Sequence, residues 1–251
     1  MWADVWDNPR LLNAGAGALV ALAALLLAYA SLQLLLRTPM FPLREVVVRT
    51  GLAHAPRAQI AEALADAGGN FFAADLAALR ARLEGVPWVR RVELRRVWPD
   101  RIEVGIEEHV ALARWGDEGL VNTFGEPFAG RLEDGVQAQL PLFAGPTGSA
   151  AVITRRYRRF AELLAPLGET PQRVILTPRH AWQLRLASGL NVELGRDGAE
   201  PVERRLARLV AAWPDSLGRL SGRAGGGAEP QRTVDLRYPN GFALRVAGWK
   251  G

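Results

Sequence analysis

The residue types that most often carry chemistry are sparse in this chain and poorly spaced for it. Its three histidines, His54, His109 and His180, lie far apart, and there is no cysteine. Structural and catalytic metal sites need clustered His, Cys or carboxylate ligands, so no metal centre is expected, and disulfides are excluded. No Gly-x-Ser-x-Gly segment is present to set up a hydrolase nucleophile. Gly222-Arg223-Ala224-Gly225-Gly226-Gly227 is glycine-rich but lacks the Gly-Lys-Ser/Thr ending of a phosphate cradle. Glu107-Glu108 joins two carboxylates, yet consecutive strand residues point to opposite faces, which denies them a shared acid–base role. No catalytic, cofactor or metal-binding residue is assigned, and enzyme activity is not expected.

What remains is surface for partners. Val234–Tyr238 and Phe242–Val246 read as strands joined through Pro239-Asn240-Gly241, and Asn-Gly between strand patterns is a strong hairpin signal. A strand near a chain's end often lies at a sheet edge, where unpaired N–H and C=O groups can accept a strand from another protein. Tyr238, Phe242 and Leu244 would then supply apolar contact, and Arg237 a charge for a partner carboxylate. The alternative is that these side chains complete the core of their own domain.

The elements that must position this hairpin begin with an anchor. From Leu11 to Leu36 no side chain is charged. A helix over that run reaches about 39 Å at about 1.5 Å per residue, against a hydrocarbon core of about 30 Å. Ala28-Tyr29-Ala30 resembles a signal-peptidase site, but Met1 to Arg10 holds two aspartates and one arginine, and the apolar run continues through Leu36. A retained transmembrane helix over 11–36 is expected, after a short cytoplasmic tail, 1–10. Flanking charge barely orients it. The long folded part that follows favours an N-terminus inside.

The formal net charge is +5, and Lys250 is the only lysine among 31 basic residues. The arginines alternate with glutamates, as on a solvated surface, and nucleic-acid binding is not expected. Beyond the anchor the pattern is α+β. Residues 43–110 read as β-α-α-β-β. A strand covers Leu43 to Arg49, and a helix runs from Arg57 to Ala67 with Ile60, Ala61 and Leu64 on one face. A second helix, from Asp75 to Leu83, carries Leu76, Leu79 and Leu83. Two strands then place Val92, Leu94 and Trp98 on one face and Ile102, Val104 and Ile106 on the other strand's matching face. A three-residue connection, Pro99-Asp100-Arg101, keeps both sets on one side of the sheet. From Ala111 to residue 248 a mixed β region follows. It has short strands near Gly116, Gly119 and Gly125, a basic amphipathic helix over Val152 to Leu167, and strands at Arg173–Thr177, Trp182–Ala187 and Asn191–Leu194. A further helix covers Val202 to Trp213.

Several segments, in order, resemble the FtsQ/DivIB family of cell-division proteins. They are Pro87-Trp88-Val89, Arg96-Val97-Trp98-Pro99-Asp100, Glu108-His109, Ala113-Arg114-Trp115, Leu140-Pro141, Gly145-Pro146, Trp182-Gln183-Leu184, Leu194-Gly195-Arg196 and Val234-Asp235-Leu236-Arg237-Tyr238. The resemblance implies a single-pass inner-membrane protein with its bulk in the periplasm, at the division septum. It implies a POTRA domain at 43–110 and an FtsQ-type β domain at 111–248. The implied role is a non-enzymatic divisome scaffold that binds FtsB and FtsL and needs no cofactor or small-molecule substrate. The FtsB-binding strands of the family correspond to Arg237, Tyr238, Asn240, Gly241, Phe242 and Leu244, and Arg179 resembles a second basic contact. Another POTRA-bearing assembly or secretion factor would need repeated POTRA units or a many-stranded barrel, for which the chain is too short. A membrane-tethered cell-wall enzyme lacks its catalytic constellation.

Overall fold

The computed structural model describes residues 9–37, 42–65, 67–117, 119–213, 232–238 and 241–246. Helix α1 runs from Pro9 to Arg37. Proline suits a first helical turn, where its missing N–H has no partner to lose. Within α1, Leu12–Leu34 is long and apolar enough to cross a membrane. The chain divides into two compact units, Met1–Glu108 and His109–Gly251.

In the first unit, strand β1 (Glu45–Val48), helices α2 (Arg57–Ala65) and α3 (Leu76–Glu84), and strands β2 (Val89–Val97) and β3 (Arg101–Glu108) follow the expected β-α-α-β-β order. The sheet order is β1-β3-β2, with β1 parallel and β2 antiparallel to β3. Pro56 opens α2 by accepting bonds from the Gln59 and Ile60 amides at 3.0 and 3.1 Å. Its inner face is Ile60, buried, with Ala63 and Leu64 half-buried. Ala61 is exposed, because an i, i+3, i+4 stripe excludes i+1. α3 starts at a true cap: the Asp75 carboxylate accepts from the Ala77 and Ala78 amides at 2.9 and 3.0 Å. Leu79 and Leu83 are buried beneath it.

The β2–β3 connection is three residues long, but it is Trp98-Pro99-Asp100, one position earlier than expected. Val92, Leu94 and Arg96 face Ile106, Val104 and Ile102. Relative to a Pro99–Arg101 connection the pairing moves by two residues, so the inward faces survive. Trp98 does not stay with them. It falls in the turn and is 74% exposed. Arg96 takes the end of that face and spends its charge on backbone, donating to the carbonyls of Phe71 at 3.1 Å and Ala74 at 2.7 Å.

The second unit is built on a sheet of nine strands. They are β4 (Ala111–Trp115), β5 (Gly119–Asn122), β6 (Pro127–Phe128), β7 (Leu142–Ala144), β8 (Pro171–Leu176), β9 (Ala181–Leu186), β10 (Asn191–Arg196), β11 (Arg232–Asp235) and β12 (Ala243–Val246). Their order is β12-β11-β10-β9-β8-β7-β4-β5-β6. Helix α4 (Asp134–Gln139) and strand β7 had no clear sequence signal, being too short for a period to register. Helix α5 (Ala150–Leu164), continued by a 3-10 turn at Ala165–Leu167, and helix α6 (Val202–Ala212) contribute to the core. They bury Ile153, Phe160 and Leu164, and Val202, Leu206 and Leu209, in one cluster with Trp182, Leu184, Val192, Leu194 and Val234. The α5 arginines are mostly committed: Arg156 to Asp197 and Glu203, Arg158 to the Thr123 carbonyl, and Arg159 to Glu162.

Candidate partner-binding edge

The last described strands differ from the expected hairpin in their bounds, with β11 at Arg232–Asp235 and β12 at Ala243–Val246. β11 stops at Asp235, so Arg237 and Tyr238 lie beyond the strand instead of inside it. The ladder ends because local bonds replace it. Leu236 still donates to the Glu193 carbonyl at 2.9 Å, but the Arg237 amide turns to the Asp235 carboxylate at 3.0 Å. Asp side chains capture nearby backbone donors in this way. β11 lies parallel to β10, and β12 returns antiparallel to it, with Val234 opposite Leu244 and Thr233 opposite Arg245. Among the described strands β12 is the outermost on its side of the sheet.

The candidate residues occupy different roles in this frame. Leu244 and Phe242 are half-buried and pack against the domain core, whereas Tyr238 is 52% exposed. Gly241 is half-exposed beside Phe242, and Asn240 lies outside the described residues. The Arg237 guanidinium grips Asp235 with Nε and Nη2 at 2.8 and 2.6 Å, while 61% of its side chain stays exposed. Its side-chain bonds hold the Asp235 carboxyl below the usual carboxylate range, against the opposing effect of burial. Arg237 in return is held more firmly protonated.

Arg179 sits far from Arg237 in sequence and close to it in space. A groove of about 530 Å³ is lined by Thr177, Pro178, Arg179, Ala181, Gly195, Arg196 and Arg237. It lies where the β8–β9 turn, the end of β10 and the exit of β11 converge. Gly195 makes this convergence possible. Its φ is +74°, at the β10 bulge, and an added Cβ would stand 2.9 Å from Arg237 Cγ. Two α6 arginines then brace the frame. Arg205 donates to the carbonyls of Leu194, Arg196 and Glu200 at 2.7, 2.9 and 3.0 Å. Arg208 donates to Glu200 Oε1 at 2.8 Å and to the Tyr238 carbonyl at 3.2 Å. Sequence reading assigned no part to Gly195, Arg205, Arg208 or Asp235. Gly195 and Asp235 stood inside recognised segments; the α6 arginines looked like ordinary surface charge.

The comparisons with known proteins follow the same division. Residues 41–109 match the POTRA domain, FtsQ-type, and residues 113–237 match Cell division protein FtsQ/DivIB, C-terminal. The chain is 43% identical over 249 residues to the cell division protein FtsQ of Burkholderia pseudomallei, covering 98% of this chain and 96% of that protein. It is 38% identical over 247 residues to FtsQ of Nitrosospira multiformis, covering 96% and 99%. With FtsQ of Bordetella pertussis it shares 35% identity over 263 residues, covering 97% and 93%. The chain belongs to the FtsQ family of cell division proteins. Its first unit carries an FtsQ-type POTRA domain, and its apolar α1 fits a membrane-anchored member.

The carboxylate pair and the histidines weighed for chemistry hold other positions in the fold. Glu107 pairs with Arg90 at 2.8 Å on the solvated side. The Glu108 carboxylate accepts from the Ala53, His54 and Ala55 amides, the shortest at 2.8 Å, and so fixes the approach to α2. His54 stacks on Trp88 with ring centroids 4.4 Å apart. His109 Nδ1 accepts from buried Asn122 at 2.8 Å, and its ring stacks on Phe128. His180 is exposed in the β8–β9 turn. Among the described residues no group of three or more His, Asp or Glu is placed to hold a metal.

Proposed function

We propose that this FtsQ-family chain is a non-enzymatic scaffold of the divisome, which captures FtsB, with FtsL, at the β12 edge. The α1 helix spans the inner membrane with its N-terminus in the cytoplasm and the two folded units in the periplasm, and the protein acts at the division septum. Two observations support the reading: β12, the outermost described strand on its side, offers backbone donors and acceptors, and Arg179, Arg196 and Arg237 offer charge in a groove at the exit of β11, the strand paired with β12. An extended partner segment adds to β12 through main-chain bonds. Its apolar side chains meet Tyr238 and the outer parts of Phe242 and Leu244, and a carboxylate enters the groove. Arg237 is pre-aimed by Asp235, so it loses less side-chain freedom on binding than an untethered arginine would.

The test is a titration of the full chain in detergent with the FtsB–FtsL pair. Tyr238→Ala and Arg179→Glu should each weaken binding at least tenfold, about 1.4 kcal/mol, with an unchanged melting temperature. Wild-type affinity in both variants would remove the site. Failure of the wild-type chain to bind the pair would remove the scaffold reading itself.

A further inference from the structure

Three strand ends of the POTRA sheet meet on one side. β1 begins at Glu45, its parallel neighbour β3 begins at Arg101, and antiparallel β2 ends at Val97. The Trp98-Pro99-Asp100 turn must therefore lie beside the segment that arrives from α1. Backbone bonds confirm the placement: Leu43 donates to the Gly69 carbonyl at 2.8 Å, and Arg44 to the Asp100 carbonyl at 2.9 Å. Pro42 bridges Asn70 on the same side. Arg96 reaches the Phe71 and Ala74 carbonyls, which draws the loop before α3 to this end as well.

This end carries exposed apolar surface. Trp98 is 74% exposed and Phe72 is 46% exposed, while Phe71, against which Phe72 packs edge-on at 5.1 Å, is buried. The reach of the chain says what covers them. α1 ends at Arg37, and Pro42 already belongs to the folded unit. Five residue steps at about 3.6 Å each span at most about 18 Å. A domain held that closely to a membrane-spanning helix keeps this end at the bilayer surface. Tryptophan favours that depth, since its ring is apolar and its N–H is polar.

We propose that Trp98 and Phe72 seat this end of the POTRA domain in the headgroup region of the membrane that α1 crosses. The ligand is a phospholipid surface, and the inference rests on α1 as a membrane span. Arg44 lies 3.9 Å from Asp100 and Arg101 2.7 Å from Glu45, so the nearby cations are offset by acids. Aromatic insertion drives the contact, and anionic lipid is not required.

The natural absence of cysteine makes the test direct. Single-cysteine variants of the full chain, Trp98→Cys, Phe72→Cys, Glu107→Cys and Leu25→Cys, are labelled with an environment-sensitive fluorophore in phosphatidylcholine nanodiscs. Glu107 lies near the opposite end of β3 and Leu25 within α1. Labels at 98 and 72 should be quenched severalfold more by shallow spin-labelled lipid than the label at 107, and equally so when phosphatidylglycerol is added. Labels at 98 and 72 as open to aqueous iodide as the one at 107, with position 25 protected, would overturn the proposal. Exposure of position 25 would overturn it by a separable route, through loss of the membrane span. A contact seen only with phosphatidylglycerol would replace aromatic insertion with charge and overturn it too.

Discussion

At one side of the nine-stranded sheet lies β6, two residues long and begun by Pro127; at the other lies β12, four residues long and free of proline. β6 is held in a tight polar turn. Asn122 Nδ2 donates to His109 Nδ1 and to Glu126 Oε2, and its Oδ1 accepts from the amides of Phe124 and Glu126, all within 2.9 Å. Proline offers no N–H to an incoming strand, and a two-residue ladder gives little to pair with. β12 has neither safeguard. Among the described strands, one sheet thus carries these safeguards at its β6 edge and lacks them at its β12 edge.

The largest effect expected is from moving the safeguard. Consecutive amides in a strand point to opposite sides, so one of Leu244→Pro and Arg245→Pro removes an outward donor from β12 while sparing the β11 ladder. That variant should lose about a hundredfold in FtsB–FtsL affinity, about 2.7 kcal/mol. Equal affinity in both proline variants would erase the contrast between the edges.

Next in size is Asn122→Ala. Asn122 is fully buried, and its removal strands the Phe124 and Glu126 amides. A loss of about 2 kcal/mol in stability is expected, read by urea denaturation, with partner affinity untouched. Any fall in affinity would tie the two edges together.

Gly195→Ala sharpens the open side. It places a Cβ in a left-handed conformation and against Arg237. Stability should fall by about 1 kcal/mol, and affinity with it, because the groove is displaced. An unaltered groove affinity would mean that Arg237 does not depend on its seat.

The smallest effect is electrostatic. Asp235 titrates lower in the folded chain than its ordinary value, so its ionised form favours folding. That contribution is present above the ordinary carboxylate pKa and is lost as pH falls through the lower folded value. Thermal melts of the wild-type chain should therefore weaken on acidification below about pH 4 more than those of Asp235→Asn, and the two should converge. Parallel curves would show that the pair adds nothing.

The β-α-α-β-β order, α5, α6 and most strands of the second unit were legible because their apolar periods declare themselves, and α1 because its apolar run is unbroken. Trp98 was misplaced because a tryptophan following Leu94 at even spacing extends the strand pattern, and only the turn's own geometry ends it. The end of β11 was misread for a similar reason: Arg237 and Tyr238 fit a strand by residue type, while a single aspartate two positions earlier takes the amide that would continue it. The candidate site was legible as a set of residues but not as a shape. Arg179 and Arg237 line one groove, where Gly195 leaves room for Arg237 and Arg205 and Arg208 tie the surrounding backbone, and such support leaves no period in a sequence.

The parallel pairing of β10 with β11 carries a consequence in time. Asn191 faces Thr233 only after the chain has travelled out through α6 and back, and long loop closures of this kind are late events in folding. β12 can lie at the edge only once β11 is in place. On the proposed reading, a half-folded second unit would have no docking strand to offer, and assembly at this edge would admit only copies whose folding is complete.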